Sequence, residues 1–189
     1  ILSRDYLFGF NAESRKLSQI LQPFSGDDAG RYLTFRTFVH GKDDRICVLT
    51  GEGGIYPFLP TERKLGERIN DSLKFPNCPK SVSLSAYDHF GNLWVVNRKS
   101  LGYFDPAYTH FYPVSDSLID TLLQNRPASL STDKKGDVWI AIPEKGVLHI
   151  RNSLDKGPRS EFLDGSNQLP TNRVLTLTCD EQGNIWMNS

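Results

Sequence analysis

The chain has 189 residues, 38% of them hydrophobic and 23% charged, which is the composition of an ordinary globular segment with enough residues to bury a core. Lysine plus arginine equals aspartate plus glutamate at 22 each, so no net field draws the chain to nucleic acid or to an anionic membrane. Three cysteines, Cys47, Cys78 and Cys179, with no Cys-x-x-Cys spacing, indicate neither a disulfide framework nor a zinc site.

In chain order, Arg4 to Phe10 and Lys16 to Ile20 read as two β-strands around the polar Asn11-Ala12-Glu13-Ser14-Arg15. A helix over Ser14 to Leu21 is the alternative, because Leu17, Ile20 and Leu21 share a face. Pro23 to Gly30 is loop by its glycine and aspartate content, and Tyr32 to Val39 opens the first full unit. The segment Pro60 to Asn70 is charged and is a poorly formed outer strand or an excursion. Asp116 to Asn125, with Leu118, Ile119, Leu122 and Leu123, is compatible with a short helix.

Between these segments one phrase recurs. Asp88-His89-Phe90-Gly91-Asn92-Leu93-Trp94-Val95-Val96 returns as Asp133 to Ala141 and again as Asp180 to Asn188. A fainter copy at His40 to Thr50 puts Cys47 at the tryptophan position. The marker residues Cys47, Trp94, Trp139 and Trp186 are spaced at intervals of 47, 45 and 47 residues, which is the mark of an array. Alternating, β-rich runs flank each copy, so each is a hairpin; its turn begins with an aspartate (Asp88, Asp133, Asp180) able to accept from backbone amides and includes a glycine where positive φ is needed. A further turn and two more short strands follow, as in Leu101 to Phe104 and His110 to Val114. Four short strands per unit make one blade of a propeller, and the marker tryptophans are expected to fill the seams between blades.

The fold expected is therefore all-β: a propeller fragment of about four blades, each a four-stranded antiparallel sheet. The expected divisions are a partial blade over 1–29, blades over 30–78, 79–125 and 126–170, and a partial blade over 171–189. Blades of this kind close only with further repeats. The expected partners across their open faces are a second copy in a homodimer or the rest of a parent propeller.

The pattern Asp-x-x-Gly-Asn-(Ile/Leu)-Trp, preceded by Leu-Pro-x-Asn-x-Val, resembles the two-component regulator propeller repeat. Leu169-Pro170-Thr171-Asn172-Arg173-Val174 through Trp186 is the best match, and the resemblance runs from about Arg31 onward. Departures are Cys47 for tryptophan, the longer turn at His40 to Asp44, and Ser100-Leu101-Gly102 where Gly-Leu is usual. The resemblance implies the periplasmic part of a hybrid two-component sensor histidine kinase, of the kind found in gut Bacteroidetes. There it would detect oligosaccharides, or another small ligand, and signal by phosphorelay through kinase domains outside this chain. Ile1 to Asp5 has no signal pattern and no apolar run is long enough to span a bilayer, so signal and membrane helices would lie outside this piece, which itself contacts neither membrane nor nucleic acid.

Catalytic signatures are not found. His40, His89, His110 and His149 are scattered, without ligand spacing, and no Gly-x-Ser-x-Gly elbow, phosphate loop or dinucleotide fingerprint occurs, so no catalytic residue, metal or cofactor is expected. Ligand contacts are expected where a propeller gathers its loops at the channel mouth. The turns after the marker strands offer Glu52, Arg98, Lys99, Glu144 and Lys145, and the connections between blades offer Arg126, Asn172 and Arg173. Tyr103, Phe104, Phe111 and Tyr112 are assigned to packing between blades. A protein-interaction scaffold with no small ligand is the alternative function, and a propeller hydrolase or lyase the third.

Overall fold

The structure, a computed structural model, describes residues 7–21, 34–42, 44–153 and 157–189. The first residues of the opening strand (Arg4 to Tyr6), the loop Pro23 to Gly30, Tyr32, Asp43 and Lys156 lie outside them. The chain forms two compact units, Ile1–Asn70 and Asp71–Ser189.

In the first unit, β1 (Leu7–Asn11) and β2 (Lys16–Leu21) form an antiparallel pair. Lys16–Leu21 is thus a strand and not the alternative helix, since it pairs with β1 from Lys16 to Leu21 across one bulge and bonds its facing backbone groups there. A second sheet runs in order β3 (Phe35–His40), β4 (Ile46–Thr50), β5 (Ile55–Leu59) and β6 (Lys64–Leu65). Pro60 to Asn70 therefore includes a two-residue outer strand. The segment then returns to the sheet: buried Asn70 accepts from the Ile55 amide at 2.8 Å and donates to the Gly53 carbonyl at 2.9 Å, clamping the β4–β5 turn. Phe35, Val48 and Leu65 form the core here, and Cys47 at the marker position is buried.

The second unit contains two complete four-stranded sheets and a hairpin. The first sheet is β7 (Leu84–Tyr87), β8 (Leu93–Val96), β9 (Leu101–Phe104) and β10 (Phe111–Val114). The second is β11 (Ser129–Thr132), β12 (Val138–Ile142), β13 (Gly146–Ser153) and β14 (Gly157–Leu163), and the hairpin is β15 (Thr176–Cys179) with β16 (Ile185–Asn188). Every pairing is antiparallel between consecutive strands, the order of propeller blades.

The faces of these sheets shield one another. Trp94, Val96 and Leu101 of the β7–β10 sheet pack with Val138, Ile140, Leu148 and Ile150 of the next sheet. Ala141, Val147 and Leu163, with Trp139, pack with Leu177 and Ile185 of the hairpin. At ~25 cal/mol per Å² of apolar surface, seams of this kind carry the main stabilising term that a lone four-stranded sheet lacks.

Between the two sheets, α1 (Ser117–Leu123) buries Ile119, Leu122 and Leu123 in the first seam, as the apolar spacing of Asp116 to Asn125 suggests. Asp116 caps it, accepting from the Ile119 amide at 2.7 Å, and also accepts from the Ser160 hydroxyl of β14. The helix is thus tied to the sheet that follows it.

Trp186 departs from the expected seam position: 62% of its surface is exposed, against 0% for Trp94. The reason is local. Trp94 and Trp139 are each covered by the next element in the chain, and among the described residues no sheet follows β16.

Candidate functional site

The recurring turn is a hydrogen-bond cage built by its first residue. Asp88 Oδ1 accepts from the amides of Phe90 and Asn92, both at 2.9 Å, and Oδ2 accepts from the Asn92 side chain at 2.8 Å and the Trp94 indole at 2.9 Å. Asp180 does the same with Gln182, Asn184 and Trp186. Asp133 accepts from Lys135, Asp137 and, at 3.2 Å, Trp139. The amides of Gly91, Gly136 and Gly183 bond the carbonyl of their aspartates, and their φ of +87°, +83° and +86° is the left-handed geometry that turns the chain back into the second strand, where the next residue's carbonyl accepts from the aspartate amide.

Side-chain bonds from Asn184 and Trp186 hold the Asp180 carboxyl down at about 2, well under its ordinary 3.8, with the amides of Asn184 and Gln182 adding to them. Burial, then the neighbouring Tyr112 and Asp88, pushes the Tyr103 phenol up. Burial, then Asp133 and Asp180, pushes the Cys179 thiol up. Of the seven repeat positions, Asp88 bonds Trp94, Asp133 bonds Trp139 and Asp180 bonds Trp186, while Cys47 is buried at the fourth marker position. The bond from aspartate to indole, six residues apart, is the part that a reading of turn propensity misses, although the fixed Asp-to-Trp spacing in all three copies signals it.

The opposite end of each sheet carries the candidate ligand residues. In an antiparallel blade the second-to-third turn and the connection to the next blade emerge at the same rim, away from the aspartate turns. Arg98 and Lys99 project from a turn held by Asn97, whose side-chain oxygen accepts from the amides of Lys99 at 2.8 Å and Ser100 at 2.9 Å. Glu144 and Lys145 are exposed in the β12–β13 turn, where Glu144 has φ +60°. Arg126, at φ +57°, follows α1 and is exposed.

Of these residues the structure joins Glu144 and Arg173, from the turn of one blade and the connection leading to the next, at 3.5 Å and well exposed. Asn172 turns inward to its own loop, accepting from the Gly165 amide at 2.6 Å. Among the described residues no other hydrogen bond or ion pair links Arg98, Lys99, Glu144, Lys145, Arg126, Asn172 and Arg173 to one another. Glu52, in the equivalent turn of the first unit, accepts from the Thr34 hydroxyl at 3.2 Å. Beside Asn172 and Arg173 lies an apolar hollow of about 100 Å³ lined by Leu169, Pro170, Thr171, Val174, Met187, Asn188 and Ser189.

Among the described residues no group of three or more His, Cys, Asp or Glu side chains gathers as a metal site, and no helix is long and apolar enough to cross a membrane. Sequence reading also missed a buried, paired histidine: His149, 6% exposed, lies with Nε2 3.1 Å from Asp137 and stacks on Trp139.

Residues 168–189 match the family described as two component regulator propeller. No curated protein sequence matches the chain. Among solved structures, it is similar to the extracellular domain of the hybrid two component system BT4673 from B. thetaiotaomicron, with a TM-score of 0.66 at 20% identity, covering 98% of this chain and 24% of that one. The extracellular domain of the hybrid two component system BT3049 from B. thetaiotaomicron gives a TM-score of 0.70 at 17% identity, with 96% and 23% covered. A gluconolactonase, XC5397 from Xanthomonas campestris, gives 0.64 at 10% identity, with 98% and 63% covered. The chain thus spans about a quarter of the length of the two extracellular domains. It is a β-propeller segment whose last stretch, residues 168–189, matches the two-component regulator propeller repeat, and whose fold is similar to that of the extracellular domains of two hybrid two-component systems.

Proposed function

We propose that this chain is a ligand-sensing segment of the extracytoplasmic, periplasmic region of a hybrid two-component sensor, and that it performs no chemistry itself. The observation that carries this reading is the match of residues 168–189 to the regulator propeller repeat, in a fold shared with two such extracellular domains. The ligand class is an oligosaccharide. Its site is the rim opposite the aspartate turns, where Arg98, Lys99, Arg126, Lys145 and the Glu144–Arg173 pair offer donors and acceptors for hydroxyl groups around an uncharged ligand. Signalling would pass to kinase domains outside this chain through a change in how propeller segments, or two copies of the protein, pack.

Thermal unfolding in the presence of a panel of neutral and acidic oligosaccharides tests it. A ligand of this rim raises Tm in a concentration-dependent way by mass action, and the variant Arg173→Ala with Glu144→Ala weakens that response while leaving the ligand-free Tm within about a degree. No stabilisation by any sugar, together with capture of a protein partner at the same rim, would favour the interaction scaffold. Turnover of a lactone or glycan in the same screen would overturn the non-catalytic reading, a control motivated by the gluconolactonase likeness.

A further inference from the structure

The β11–β14 sheet differs from its neighbours in one coupled pair of residues. In the sister turns an asparagine amide, Asn92 or Asn184, donates to the turn aspartate at 2.8 or 2.9 Å and so helps fix the carboxylate that holds the indole. The third copy has Asp137 at that place, which as a carboxylate has no proton to donate to Asp133. Its indole bond is correspondingly longer, 3.2 Å from Trp139 to Asp133 against 2.9 and 2.7 Å in the other two.

The bracing comes from across the strand instead. His149 sits opposite Trp139 in the β12–β13 register, where Tyr103 sits opposite Trp94. The imidazole lies flat on the indole, centroids 3.7 Å apart at 11°, whereas Tyr103 is tilted by 38° at 4.8 Å. One ring nitrogen meets Asp137 at 3.1 Å and the other faces Glu161 of β14 at 3.8 Å. Glu161 is in turn held by Arg151 at 2.6 Å. Asp133 is reached through Trp139, and on the β15–β16 hairpin Cys179 lies in the field of Asp133, Asp180 and Lys134.

We propose that His149 is a proton-operated clasp on the seam between the β11–β14 sheet and the β15–β16 hairpin. Protonated, the ring presents an N–H to both carboxylates that face it and lies as a cation on the π-face of Trp139. Neutral, it has a single N–H, so one of the two carboxylates meets a nitrogen lone pair and the stack loses its cationic term. Trp139 packs into the cluster that holds Leu177 and Ile185, so its anchorage bears directly on that seam. At the seam around Trp94 the ring across the strand is Tyr103 and the turn is braced by Asn92, so a phenol stands where the imidazole of His149 does. The device does not rest on ligand binding at the rim.

Fluorine NMR of the whole chain labelled with fluorotryptophan reads each indole separately, with Trp139→Phe used to assign. Over the range from about pH 5 to 8, where an imidazole changes charge, the Trp139 resonance should shift in one step and the Trp94 resonance should not. The solvent isotope shift of Trp139, which reports exposure, should be larger on the alkaline side of that step. In His149→Tyr, the residue of the sister blade, the step disappears. A step that survives in His149→Tyr, or a Trp139 isotope shift that is the same on both sides of it, would overturn the proposal.

Discussion

The carboxylate of Asp88 accepts the indole N–H of Trp94 at 2.9 Å, with both residues almost wholly buried. One side chain thereby closes the turn and positions the aromatic ring that fills the seam. Asp88→Asn keeps the shape and an oxygen for the Phe90 and Asn92 amides, but it places an amide N–H against the indole N–H. Leaving a buried donor unmet costs about 1–3 kcal/mol, so urea unfolding should show a loss of about 2 kcal/mol. Asp180→Asn should cost less, because the Trp186 indole is exposed and water can replace the lost acceptor. Equal losses for the two variants would mean that the cage acts on the turn alone and not through the seam.

Acid should weaken the exposed cage through Asp180. Its folded-state carboxyl is held down at about 2 by Asn184 and Trp186, below its value in an unfolded chain. A depressed carboxylate contributes stability that is complete above the ordinary carboxylate range near pH ~4 and is lost as pH falls toward its folded value. Carboxyl-carbon NMR should find Asp180 still ionised at a pH where free aspartate is half protonated. Asn184→Ala, which removes the largest cause, should raise the Asp180 midpoint toward the ordinary value.

Gly102 in β9 is fixed by space. A Cβ there would meet the Phe111 ring and, at 2.6 Å, the Tyr112 carbonyl oxygen of the adjacent strand, and the second of these is backbone that cannot rotate aside. Gly102→Ala should therefore push β10 away from β9 and cost about 1–3 kcal/mol, as overpacking does. Chemical denaturation measures the loss. Loss of the Tyr103–Tyr112 stack, now at 5.1 Å, would appear in the near-ultraviolet circular dichroism.

The strands and turns were legible because period-two runs around an Asp-x-x-Gly turn admit few other structures, and the short helix after Asp116 was legible from Ile119, Leu122 and Leu123. Residues 14–21 were ambiguous because Leu17, Ile20 and Leu21 fit a helical face as well as a strand; pairing with β1 decided between them. What individual side chains do across the fold was less legible. Asp137 reads as a conservative change from asparagine until His149 is seen beside it, twelve residues on. At the rim, sequence supplied charged residues in turns, but only geometry singles out Glu144 with Arg173 and turns Asn172 back into its loop.

The seams are also stitched by hydroxyl groups on the inner strands. Leu177 and Cys179 of β15 direct their amides to β11, where Ser129 Oγ accepts from Leu177 at 3.0 Å and Ser131 Oγ accepts from Cys179 at 3.2 Å. On its other side, Thr132 of the same strand donates to the Tyr87 carbonyl at 2.7 Å. An inner strand pairs with only one neighbour, so its outer amides need partners, and a serine can reach across a gap that a backbone carbonyl does not span. Ser129→Ala should cost about 1 kcal/mol, the net worth of one such bond. The loss should be local: the Leu177 amide should exchange with solvent roughly fivefold faster, while the Cys179 amide, still held by Ser131, changes little. Uniform acceleration across β15 would instead make Ser129 a determinant of the whole seam, and unchanged exchange at Leu177 would mean that water replaces the hydroxyl without loss.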